Sequence, residues 1–295
     1  MPLVLASQAM GTRFELVLPG RDERAERAAG ETALETVAEW DARLSLFRRD
    51  SLLSLVNREA RARAVKVDPQ TFALLELCAR VWRDSGGAFD AALGGLMARH
   101  GFRGEPAGAQ SVAGFEAVEL DPVACTVRFR EVGVQLDLGG VAKGFALDAA
   151  AEVLREAGMA QALLHGGTST VVALGAPPLM RGWKVAVERG AGAPAAELCD
   201  AALSVSAQHG RRNVRGEGHV LDPRSGDPVA GDDLACVVAP SGTLADAWST
   251  ALLVLGELPP AAAGQGVAGL IGQGQEGRRT WRSTGAQGPF LGRRG

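Results

Sequence analysis

Asp246 and Thr250 stand four residues apart in ADAWSTALLVLG, so a helix would bring a carboxylate and a hydroxyl to one face. Two hard oxygens at that spacing suit Mg²⁺, with water and a phosphate filling its remaining positions. The same stretch has a structural use: Thr243 and Asp246 form a T-x-x-D capping box, which would commit Asp246 to a helix N-terminus. Spacing leaves both readings open. Upstream, VGVQLDLGGVAKGFALD passes from an apolar alternation (Val132, Val134, Leu136) through Gly139-Gly140 into a helical pattern. That pattern sets Val141, Phe145, Ala149 and Val153 four apart and ends at Gly158. Two glycines at a strand-to-helix turn let a ligand approach the backbone, and the first helical amides face an anion. Lys143 in the first turn and Asp137 just before it suit a phosphorylated ligand accompanied by a metal ion. This is not a Walker loop, because Gly144 follows Lys143; a tight turn with a solvated lysine is the plain alternative.

The four histidines, His100, His165, His209 and His219, show no HxH or HxxxH pairing, which argues against zinc. His219 precedes VLDPRSG, near Asp222, where a group titrating near neutrality could take a proton from a hydroxyl. A loop histidine bonded to backbone is the competing use. Cys78, Cys125, Cys199 and Cys236 form no CxxC and lie mostly among apolar residues, so buried free thiols are expected. A net charge of -3, with scattered arginines, argues against general nucleic-acid binding.

The elements that must position these groups follow from periodicity and punctuation. A strand is expected over 12–18, a helix from about 21 to 44, and a helix opened by Pro69 and running to about 85. The Gly-, Ala- and Pro-rich stretch 100–111 reads as a surface loop. Further strands are expected near 117–120, 126–130, 161–164, 170–174, 183–187, 203–206 and 220–221. Leu270-Ile271 reads as the last edge strand, and the tail from 284 to 295 as frayed. Mixed short and crossover connections predict an α+β fold, with mainly antiparallel sheets packed with helices, in one domain over 1–283. The start lacks a basic, apolar secretory leader, and no stretch reaches the ~18 apolar residues of a membrane span, so a cytoplasmic protein is expected.

Seven patches, in order, resemble the FAD:protein FMN transferase (ApbE-like) family. They are AMGT from Ala9, LSLFRRDSLLSLVN from Leu44, GGAFDAALGGL from Gly86 and DLGGVAKGFALD from Asp137. HGGTSTVVALG from His165, GHVLDPRSGDPV from Gly218 (family pattern SHIIDPxTGxP) and ADAWSTALLVLG from Ala245 complete the series. The resemblance covers about residues 3–275. It implies transfer of FMN from FAD, through a phosphoester, to a Thr or Ser of a flavin-accepting redox protein, with release of AMP. It implies Mg²⁺ on the Asp246 and Thr250 side chains and the backbone oxygens of Ala142 and Ser249. Catalytic groups would be His219 as base, Lys143 and Asp246. Cofactor-binding positions would be Met10, Phe47, Asp90, Asp137, Gly139, Gly140, Lys143, Gly166 and Gly167. Phe47 stands where the family stacks an aromatic, often Tyr, on the isoalloxazine ring, although Phe47 and Met10 could equally be core. The chain departs from the pattern at Gly166-Gly167-Thr168 (GGD), at Val205 to His209 (TSGDY), at Ser249 (Ala) and at His165 (Asn). A metal-dependent FAD pyrophosphatase and an FAD-binding protein without turnover are the alternatives.

Overall fold

Alternation in LVLASQAMGTRFELVL makes a hairpin that organises one edge of the main sheet. Strands β1 (Leu3–Ala9) and β2 (Thr12–Leu18) pair antiparallel along their whole length, Leu3 opposite Leu18 and Ala9 opposite Thr12. Met10 and Gly11 close it with φ of 50° and 72°, the left-handed pair that matches strand twist. This computed structural model describes residues 1–103, 114–190, 193–208 and 212–291. The chain continues through α1 (Glu23–Leu44), α2 (Leu52–Glu59), β3 (Val65–Lys66), α3 (Pro69–Asp84) and α4 (Gly94–Arg99). Then come β4 (Val118–Asp121), β5 (Thr126–Phe129), α5 (Ala142–Glu156), β6 (Ala162–Gly166) and β7 (Thr170–Leu174). After β8 (Trp183–Ala186), β9 (Ala195–Leu198), β10 (Ala201–Ala207) and β11 (Leu234–Ala239) follow α6 (Gly242–Leu255) and α7 (Pro260–Gly264). Strands β12 (Ala268–Gln273), β13 (Thr280–Gly285) and β14 (Phe290–Leu291) end the described chain.

The expected α+β arrangement is what forms. Eight strands lie in the order β1-β2-β6-β7-β10-β11-β12-β13, each pair antiparallel. One face carries α1, α5 and α6, whose apolar stripes bury Phe14, Leu16, Leu147, Leu164 and Trp248. The other buries Leu163, Val171, Leu203 and Cys236 with Leu198 and Val187 of the layer containing the small sheet β14-β9-β8. Strands covered on both faces read as unbroken apolar runs, and TVVAL and LACVVA are wholly buried. In α5 the deepest stripe is Leu147, Ala150, Ala151 and Leu154, while Phe145 packs half-buried, edge-on to Trp40 of α1 at 4.7 Å.

Several expectations are corrected. Residues 132–136 form no strand; Leu136 is held by the Asn57 side chain, which donates to its carbonyl (2.9 Å) and accepts from its amide (2.8 Å). The segment's backbone pairing is a parallel bridge between Leu93 and Gln135, with Gly94 N–H donating to Gln135 O (2.9 Å) and Asp137 N–H to Ala91 O (2.7 Å). Residues 220–221 make only a bridge, Leu221 opposite Pro228. Leu270 and Ile271 lie inside the sheet, because β13 adds a strand beyond β12. Within the tail expected to fray, residues 284–291 are tied down: Ala286 N–H donates to Val267 O, and Phe290 lies opposite Ala196, while 292–295 lie outside the described residues. Cys78 and Cys236 are buried free thiols as expected, but Cys125 is half-buried and Cys199 exposed.

Candidate active site

Two helix N-termini meet at the centre of the site, and glycines permit it. A Cβ on Gly144 would lie 2.1 Å from the Gly242 carbonyl oxygen, so only glycine lets α5 and α6 approach this closely. The first turn of α6 is capped by Asp148 of α5, not by Asp246. Asp148 accepts from the amides of Gly242 (2.7 Å) and Thr243 (2.8 Å) and from the Thr243 hydroxyl (2.6 Å). Burial pushes the Asp148 carboxyl up and the Thr243 and Gly242 bonds oppose it. Ser241 supplies the helix's own cap, accepting from Leu244 N–H at 3.3 Å. The capping-box reading of Asp246 is therefore overturned.

Freed from that duty, Asp246 turns its buried carboxylate toward α5 and β10. Its Oδ1 accepts from Thr170 Oγ1 (2.8 Å) and Ser204 Oγ (2.6 Å), and its Oδ2 from Gly144 N–H (2.8 Å). Lys143 Nζ stands 4.0 Å from Oδ2. Thr250 shares the helix face, as the spacing requires, and donates to the Asp246 carbonyl at 3.2 Å, with Ser206 Oγ 3.5 Å from its hydroxyl oxygen. Ser249 Oγ lies 2.8 Å from Ser206 Oγ and 3.1 Å from Ser204 Oγ. A single carboxylate with a lone pair to spare, surrounded by hydroxyls, is a hard-oxygen set. Among the described residues no group of three or more His, Cys, Asp or Glu forms a metal cage. Such donors fit an ion that keeps waters and takes substrate phosphate, as Mg²⁺ does.

These groups line a cavity of about 1290 Å³, above the ~300–1,000 Å³ of pockets for drug-sized ligands and so large enough for a dinucleotide. Met10, Phe47, Asp90, Asp137, Gly139, Gly140, Ala142, Lys143, His219, Asp246, Ser249 and Thr250 all lie on its wall. Gly166 and Gly167 do not: Gly166 packs against Phe14 and Leu147, Gly167 against Thr12, and the neighbouring Thr168 and Ser169 reach the cavity instead. Phe47 is 75% exposed, which removes it from the core. Arg103, from the loop after α4, sits over its ring at 5.7 Å and donates to Asp137 Oδ2 at 2.7 Å. Asp137 in turn accepts from Gly139 N–H at 2.9 Å, fixing the turn before α5. Asp90 is buried, accepting from the amides of Ala92 (2.6 Å) and Phe115 (3.0 Å), and burial pushes its carboxyl up to about 6.

The other histidines do different work. His100 bonds Gly226 O (2.9 Å) and faces Glu217 (3.3 Å), pinning the loop that carries His219. His165 lies opposite Glu15 and Val171 in the sheet, where burial lowers its pKa against the pull of Glu15. His209 lies outside the described residues. Three contributors had no reading in the sequence, Arg103, Asp148 and Ser204, and Ser206, on the same face of β10 as Ser204, appeared only within the altered TSGDY segment. The alternation Ser204, Ser206 within a buried strand was the available signal.

On an antiparallel sheet flanked by helices, this is a long cavity in which a lysine and hard oxygen donors meet below an exposed aromatic. A sequence model of the ApbE family matches residues 10–267. The chain belongs to the ApbE family. It is 34% identical over 241 residues to an FAD:protein FMN transferase of Rhodobacter capsulatus, covering 75% of this chain but only 45% of that relative. An FAD:protein FMN transferase of Treponema pallidum is 30% identical over 283 residues, covering 85% of this chain and 78% of the relative. The crystal structure of the ApbE protein of Thermotoga maritima superposes with a TM-score of 0.83 at 25% identity, covering 96% of this chain and 97% of that one. A flavin transferase ApbE of Vibrio cholerae shares the fold, with a TM-score of 0.81 at 23% identity, over 99% of both chains.

Proposed function

We propose that this chain is a Mg²⁺-dependent FAD:protein FMN transferase. It would cleave the FAD pyrophosphate, attach FMN through a phosphoester to a Ser or Thr of an acceptor protein, and release AMP. The observation that carries the reading is the junction of α5 and α6, where Lys143 and Asp246 stand 4.0 Å apart with the Thr250 hydroxyl on the same cavity wall. Asp246, Thr250 and the carbonyls of Ala142 and Ser249 would hold the Mg²⁺. The bound ion would polarise the pyrophosphate and offset the charge of the leaving group. Pyrophosphate cleavage asks mainly for positioning and charge neutralisation. Lys143 supplies a mobile positive charge at the phosphates or at Asp246. His219 takes the proton from the acceptor hydroxyl; that oxygen bonds to the FMN phosphorus as the P–O bond to AMP breaks. Phe47 offers a ring face to the isoalloxazine, with Met10 as a soft contact. Asp137, holding Arg103 and Gly139, keeps the turn and the mouth in register.

Incubation with FAD, Mg²⁺ and a candidate acceptor, followed by chromatography and in-gel flavin fluorescence, tests the reading. A fluorescent acceptor band with one AMP per flavin supports it. AMP with free FMN would identify a pyrophosphatase, and intact FAD a binding protein.

A further inference from the structure

Gln208 closes the end of β10 and is one of the few buried polar side chains of the site region. Its amide is fully used, and in one orientation only. Nε2 donates to the carbonyls of Val220 (2.6 Å) and Val229 (2.7 Å), while Oε1 accepts from Val220 N–H (3.1 Å). Val220 is thus gripped on both its donor and its acceptor, one residue from His219. The Val220 carbonyl also accepts from Val229 N–H at 3.0 Å, so the clamp ties the His219 segment to the returning loop as well as to the end of β10. The same β10 carries Ser204 and Ser206 to Asp246 and Ser249.

The grip dictates a second residue. A Cβ on Gly218 would lie 2.0 Å from Gln208 Oε1 and 2.6 Å from its Cδ. The Gly218 backbone has no left-handed φ, so sterics and not conformation exclude a side chain there. A glutamine tip usually swings aside cheaply, but this one is held by three buried hydrogen bonds, and moving it leaves their partners unmatched. The family pattern carries Asp and Ser at these two positions; this chain carries a longer side chain at the first and none at the second.

We infer that Gln208 is a positioning residue for His219, and that Gln208 and Gly218 form one compensating pair: the long amide anchors the histidine's backbone and requires glycine beside it. The inference rests on reading His219 as the group that takes the acceptor's proton. It assigns no chemistry to Gln208 itself. A displacement of about 1 Å at a reacting group can cost roughly 10²-fold in rate.

The test compares Gly218→Ser, Gln208→Ala and the double variant Gln208→Ala with Gly218→Ser. Each is measured for flavinylation rate at saturating FAD, FAD dissociation constant and the His219 imidazole resonance by NMR. Gly218→Ser should lower the rate by about 10–100-fold, move the resonance, and leave FAD affinity within about twofold. The double variant should be no slower than Gln208→Ala alone, because removing the amide also removes the clash that a side chain at 218 creates. Gln208→Ala, which removes the clamp without a clash, should lower the rate about tenfold or more and keeps the inference testable should Gly218→Ser fail to fold. A native rate and resonance in Gln208→Ala, or a double variant whose loss is the product of the two single losses, would overturn the pairing. A fully active His219→Ala would remove the base reading alone, since the resonance still reports whether the clamp holds the ring.

Discussion

Replacing Asp246 by alanine removes a 2% exposed carboxylate that accepts three hydrogen bonds. The two hydroxyl donors can turn elsewhere: Thr170 Oγ1 has Ser169 Oγ at 3.4 Å and Ser204 Oγ has Ser249 Oγ at 3.1 Å. Gly144 N–H cannot. It lies in the first turn of α5 and has no intrahelical acceptor. One stranded buried amide costs about 1–3 kcal/mol, and imperfect repair of the hydroxyl network adds about 1 more. The expected loss is therefore roughly 2–4 kcal/mol, more than the ~1 kcal/mol typical of a simple helix cap. At about 2–4 °C per kcal/mol for a chain of this size, thermal unfolding should shift down by roughly 5–15 °C. Asp246→Asn keeps an acceptor for Thr170 and Ser204 but turns an amide NH₂ against Gly144 N–H, so it should fall between. Calorimetry gives the first number. Mg²⁺-dependent release of AMP from FAD gives the second, and it should vanish in Asp246→Ala at temperatures where the variant is folded. Unfolding within about 2 °C of native together with undiminished AMP release would refute both the network and the metal assignment.

Phe47→Ala should weaken FAD binding about fivefold or more while barely moving the melting temperature, since the ring is exposed in the free protein. Phe47→Tyr should be near neutral; quenching of flavin fluorescence measures both. Asp148→Ala should cost about 1–2 kcal/mol in urea unfolding, because it uncaps α6 from outside that helix. Asp90 should titrate near pH 6 by carboxyl ¹³C NMR. Its folded pKa lies above its unfolded one, so the fold binds this proton more tightly, and the group's contribution to stability falls as pH rises from about 4 to about 6. A midpoint near 4 would mean that water reaches it.

What could be read from the sequence was local chemistry; what could not was which distant group each polar atom faces. The i,i+4 oxygens of α6 and the lysine after the glycine pair are visible because their meaning lies in spacing and type, whereas Phe47 stands out only through the family resemblance. Thr243 and Asp246 fit a capping box equally well, and only the arrival of Asp148, 94 residues away from Gly242, decides against it. The alternation at 132–136 is real, yet it is answered by a single bridge at Leu93 and by an asparagine side chain 79 residues earlier. Arg103 belongs to a stretch whose composition signals only a loop. Gln208 falls in the segment that departs from the family's TSGDY, and its amide bonds inward to backbone that holds His219. Periodicity also located β12 but could not show that β13 would cover its edge.

The central claim is that an acceptor hydroxyl, and not water, takes the FMN phosphorus. The direct measurement is intact-mass spectrometry of an acceptor protein incubated with this chain, FAD and Mg²⁺, with AMP quantified from the same reaction. The expected result is one FMN phosphoester per acceptor, mapped to a Ser or Thr, with AMP in equal amount, and neither product from His219→Ala beyond roughly a hundredth of the native rate. An unmodified acceptor beside stoichiometric FMN and AMP would contradict it.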